Sequence, residues 1–154
     1  MTTTTSSDRI ERQVLLKAPR SRVWRALTDS AQFGEWFGIR ADAPFTAGAH
    51  VRAIVTNPQY NGLAFDMTIE EVVPERLFSW RWHPNAIDRT RDYSVEPTTL
   101  VVFHLEDAPG GTLLKVVESG FDAVPAGRRL DAYRGNTQGW DYQMNAISGY
   151  VSKN

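Results

Sequence analysis

The sequence predicts an α+β domain in which a curved antiparallel sheet of about six strands wraps a long C-terminal helix, with two short helices after the first strand. Three observations predict it. Trp140, Met144, Ile147 and Val151 stand at i, i+4, i+7 and i+11, a single stripe on a helix over 139–152 that keeps its phase through Asn136 and Tyr133 back to about 126. Between 50 and 119 the apolar residues alternate instead, in runs separated by Pro, Gly and Asn, which is the pattern of consecutive strands joined by short turns. A single long helix then covers only one face of the sheet, so the space between the two layers is where large inward side chains gather.

In chain order, residues 1–8 are Thr- and Ser-rich with nothing to bury and read as a disordered polar tail ahead of one domain over 9–154. Loose alternation over 9–17 gives a first strand, ended by Ala18-Pro19. Ser21 precedes Val23, Trp24, Ala26 and Leu27, a short amphipathic helix with Pro19 near its start, where a missing amide proton matters least. A second helical piece over 31–36 runs into Gly34 and Gly38, which permit tight bends. Strands follow at 50–56, 63–73, 77–83, 99–105 and 112–119. Alternation groups Phe65 with Met67 and Ile69, Phe78 with Trp80 and Trp82, Thr99 with Val101 and Phe103, and Leu114 with Val116 and Glu118. A one-residue bulge would turn Trp80 and Trp82 outward. Residues 84–97 are polar and irregular, longer than a hairpin needs, and form a candidate binding loop or rim.

Composition excludes several function classes. Seventeen basic against eighteen acidic residues leave a net charge of -1, so nothing in the summed field attracts nucleic acid or an anionic membrane. The absence of cysteine excludes disulfides, thiolate metal sites and a Cys nucleophile. No run approaches the ~18 apolar residues of a membrane span and the start lacks an apolar leader, so a soluble, cytoplasmic protein is expected. His50, His83 and His104 lie far apart without metal-type spacing, so no metal is expected. The nucleophile elbow G-x-S-x-G and the phosphate- and dinucleotide-binding glycine patterns are absent, and no cofactor is expected.

Several segments together resemble the START-like, or helix-grip, superfamily (Bet v 1-like), and within it the proteins related to the activator of Hsp90 ATPase. They are 23–29 followed by Trp36-Phe37, 74–80 from Pro74 to Trp80, 110–114 from Gly110 to Leu114, 118–121 from Glu118 to Phe121, and Gly139-Trp140. A bacterial subgroup is similar in addition at Trp82-His83-Pro84 and over 92–99. The resemblance implies a cavity between sheet and helix that holds an apolar or amphipathic small molecule. It also brings in a chaperone partner, although the Hsp90 activators carry a further N-terminal domain.

Glu118 is the first candidate for chemistry, because alternation from Leu114 through Val116 aims its carboxyl at the inner face, where desolvation would raise its pKa. His83, between the aromatic strand and Pro84, and Tyr93, in the long loop beside Glu96, are the other candidate acid or base groups. The expected ligand-binding wall comprises Met67, Phe78, Trp80, Trp82, Phe103, Leu114, Val116 and Glu118 from the sheet. The helix adds Asn136, Trp140, Gln143, Met144 and Ile147. Arg128-Arg129 reads as a solvated helix start. Three functions remain open: binding of an apolar or aromatic small molecule, an enzyme of cyclase, aromatase or hydrolase type in the same cavity, and a protein-interaction module. A homodimer is open as well.

Overall fold

Trp140, Met144, Ile147 and Val151 are buried along one side of helix α3, Ala126–Ser152, while Asp141, Asn145 and Ser152 are exposed on the other. The computed structural model describes residues 8–153 and places β1 Arg9–Leu16, α1 Arg20–Thr28, α2 Ser30–Phe37, β2 Ile39–Ala41, β3 His50–Val55, β4 Ala64–Val73, β5 Leu77–Trp82, β6 Thr99–Ala108 and β7 Gly111–Ser119 before it. The expected polar tail lies outside the described residues except for Asp8, whose carbonyl accepts from Gly120 and Phe121. Among the described residues no helix is long and apolar enough to cross a membrane.

The seven strands form one antiparallel sheet in the order β1-β7-β6-β5-β4-β3-β2, so the first strand closes against the last and the two short helices bridge the return to the far edge. One strand escapes the sequence. The three residues of β2 are too few to show alternation, and it exists because Ile39, Arg40 and Ala41 pair with Val55, Ile54 and Ala53. Its start is set by Asp29, which caps α2 through Ala31 N, and by Gly38, whose φ of 86° ends α2 in a left-handed turn that a side chain would strain.

A bulge does occur, in β4 between Ile69 and Val72 and not in β5. Glu70 and Glu71 therefore both face solvent, and Val72 turns back toward the core. Phe78 and Trp80 keep their inward phase and are fully buried. Between sheet and α3 the rings meet both stacked and edge to face: Phe33, Phe37, Phe45, Phe78, Trp80, Phe103 and Trp140 form a connected cluster with centroids 4.6 to 6.4 Å apart. At this depth the gap expected to hold a ligand is occupied by aromatic side chains. Among the described residues, an open space lies toward one end, lined by α3, the long loop and β3 to β5.

Candidate functional site

The open space is a half-enclosed cleft of about 450 Å³ beside the middle of α3. One wall is Gly135, Asn136, Gly139, Tyr142 and Gln143 of α3. The facing wall runs from Phe37 and Ile39 across Val55, Tyr60 and Phe65 to Trp82, and His83, Asn85 and Ile87 of the long loop close a third side. A smaller recess of about 190 Å³ adjoins it over Phe37, Trp82 and Trp140. The glycines make the wall. Gly139 would meet nothing within 4 Å if it carried a Cβ, and Gly135 is flat enough for Asn85, itself at φ 52°, to lie against it.

Beneath the recess sits Glu118, with no solvent exposure. Its Oε2 accepts from Thr99 Oγ1 at 2.5 Å and Trp82 Nε1 at 2.8 Å, its Oε1 from Trp140 Nε1 at 2.8 Å, and Asn136 Nδ2 donates to both oxygens at 2.9 and 3.0 Å. Every partner is a neutral donor, and the two indoles are able only to donate, so the pattern is that of a carboxyl read as an acceptor on both oxygens. Burial pushes its pKa up; Thr99, Trp82, Trp140 and Asn136 pull it back without cancelling the rise. The carboxyl thereby ties β5, β6, β7 and α3 together at one point and fixes the orientation of two of the three recess rings.

The remaining candidates fall in three groups. Trp82, His83, Asn136 and Gln143 line the cleft, and Trp140 lines the recess. Met67, Phe78, Trp80, Phe103, Leu114, Val116, Met144 and Ile147 lie in the packed core behind these rings and do not border the cleft. Tyr93 stands apart: its hydroxyl accepts from Asp88 N and its ring lies under Arg128, 4.7 Å from the guanidinium carbon.

Arg128 is not the solvated residue expected. Its side chain is 11% exposed and holds Glu96 at 2.7 Å and the Pro84 carbonyl at 2.8 Å, while Arg91 grips the same Glu96 from within the loop. Burial pushes the Glu96 carboxyl up, yet Arg128 and Arg91 outweigh it and hold it below the usual carboxylate range. His83 Nε2 lies 3.0 Å from the Glu96 carbonyl oxygen. The long loop is thus strapped to the first turn of α3, which sets the third side of the cleft. Among the described residues no three His, Asp or Glu side chains gather in a set suited to a metal ion.

A sequence profile for activator of Hsp90 ATPase homolog 1-like protein matches residues 17–152. The chain belongs to that family. Solved structures similar to this family member include protein MLL2253 from Mesorhizobium loti, 22% identical at a TM-score of 0.75 over 95% of this chain and 98% of that one. A protein from Arthrobacter aurescens is 14% identical at a TM-score of 0.77, over 99% and 91%. DynU16, from the dynemicin biosynthetic locus, is 26% identical at 0.72 over 94% of this chain but only 47% of its own. These likenesses carry the helix-grip fold. No curated protein matches the sequence.

Thr99 and Phe37 are missing from the sequence expectation, as are cleft-lining residues such as Val55, Tyr60, Phe65 and Tyr142. Thr99 is the polar first residue of an otherwise apolar alternating set, a signal that was available, since Val101 pairs with Glu118 and places Thr99 beside its carboxyl. Phe37 gave no such signal, because its place under Trp82 and Trp140 depends on how α2 is returned to the sheet by Gly38.

Proposed function

We propose that this family member binds an apolar or aromatic small molecule in the cleft between α3 and the ends of β3 to β5. The observation that carries the reading is the character of the lining. Aromatic rings and carboxamides surround the space, and no Asp, Glu, Lys or Arg side chain lines it. A volume of about 450 Å³ suits a compact ligand. A bicyclic aromatic body burying ~200 Å² there gains ~5 kcal/mol at ~25 cal/mol per Å².

The enzyme reading is less well supported. Glu118, the one carboxyl near the recess, has both oxygens engaged by four donors and no exposed surface, so it orients the wall and does not reach a substrate. The test is native mass spectrometry after incubation with a library of aromatic metabolites, on the natural chain and on Gly139→Phe. Adducts on the first and none on the second support the reading. Adducts on both place binding elsewhere, and adducts on neither remove it.

A further inference from the structure

Resting on the reading of the cleft as a ligand site, we propose that its ligand is a protonated amine on an apolar or aromatic body. The ammonium group sits in the recess over Phe37, Trp82 and Trp140 and donates to Gln143 Oε1.

Three features of the recess select that charge and that donor. The first is the uncompensated carboxyl below it. The groups that act on Glu118 are Thr99, Trp82, Trp140 and Asn136, and none is cationic. A buried carboxylate held only by neutral dipoles lacks a counter-charge, and its removal from water is only partly repaid. A cation in the recess is separated from it by the single layer of Trp82, Asn136 and Trp140, whose side chains touch both. An anion there meets the same carboxyl with no Lys or Arg in the cleft lining to offset it.

The second feature is the ring set. Phe37, Trp82 and Trp140 have centroids 6.1 Å, 6.2 Å and 6.1 Å apart, so the recess they border lies within the ~6 Å reach of a cation–π contact from more than one ring. Both indoles donate their N–H to the carboxyl, which shifts electron density into the ring and makes it a better partner for a cation.

The third is an acceptor without a donor. Gln143 Nε2 donates to the Phe37 carbonyl at 3.0 Å, and because that carbonyl only accepts, the amide is fixed with Oε1 at its other end. Oε1 is buried and has no hydrogen-bond partner; among the described residues it is the only buried side-chain acceptor in that condition. Gln143 lines the recess, so an N–H brought by the ligand satisfies Oε1 once the amide turns toward it, whereas a quaternary ammonium has none to give.

The experiment uses the full chain and three ring systems, naphthalene, indole and biphenyl. Each carries an aminoethyl, a hydroxyethyl or a carboxymethyl arm, and each is titrated by calorimetry at one pH and ionic strength. The aminoethyl member of a binding set is expected about tenfold tighter than its hydroxyethyl partner, with the carboxymethyl member weakest. Gln143→Leu, which keeps the carboxyl network, is expected to weaken the aminoethyl member most and so to narrow its lead over the hydroxyethyl member. Equal or tighter binding of the alcohols, displaced by Gly139→Phe, overturns the amine assignment and leaves the small-molecule reading standing. Binding by none of the nine overturns both.

Discussion

Replacing Glu118 by Gln tests the central feature of the site, because it keeps the shape and removes one acceptor. Whichever way the new amide turns, its NH2 faces an indole N–H: Trp140 on the Oε1 side or Trp82 on the Oε2 side. One buried donor is left unpaired, worth about 1–3 kcal/mol, and the surviving bonds to the neutral amide are weaker than bonds to a carboxylate. Relief from burying an ionisable group returns part of this, so a net loss of about 2–3 kcal/mol is expected. In a chain of this size that lowers the melting temperature by about 4–12 °C. The natural protein also carries a pH signature the variant lacks. The Glu118 pKa is raised above its ordinary 4.5 in the folded state, so between 4.5 and that raised value the folded chain holds a proton that the unfolded chain has released, and above it the carboxylate is ionised in both. Its stabilisation is complete below 4.5 and is lost as pH rises through the raised folded value. Thermal melts of both proteins across acid to neutral pH read this as a gap between the curves that narrows with pH. A Gln variant that melts with the natural chain at every pH refutes the account of the network.

Other substitutions separate wall, core and strap. Gly139→Leu is expected to keep or raise the melting temperature, since leucine gains up to ~1 kcal/mol over glycine in a helix and nothing obstructs its Cβ, while it blocks ligand uptake in a dye-displacement assay. Trp80→Phe removes an indole N–H that has no hydrogen-bond partner, so denaturant titration should show a smaller loss than for Trp140→Phe, which breaks a bond to Glu118. Arg128→Met leaves Glu96 with Arg91 as its remaining ion partner, and a loss of about 2–3 kcal/mol is expected, with faster amide exchange confined to 83–97. The Glu96 pKa is lowered, so its contribution is present above 4.5 and fades as pH falls through the lower folded value; Glu96→Gln should flatten the acid limb of the melting curve.

Much of the architecture was written in local pattern. A stripe at helical spacing and sets of alternating residues are properties of neighbours in the chain, and they suffice to place α3, most of the strands and the inward aim of Glu118. The bulge in β4 was invisible because nothing in Glu70-Glu71 distinguishes a double outward turn from a strand end. Arg128 looked like a solvated cation because its partner Glu96 lies 32 residues away.

The sequence by itself determined that a bent antiparallel sheet faces one long amphipathic helix, and that a carboxyl and several indoles point between them, since periodicity fixes direction. Tertiary structure decided how much of that space stays open. Whether rings fill a gap depends on where α2 delivers Phe37, how closely Gly135 lets the loop approach α3, and which donors close around Glu118. Those are distances between segments far apart in the chain, set by packing that no local pattern records.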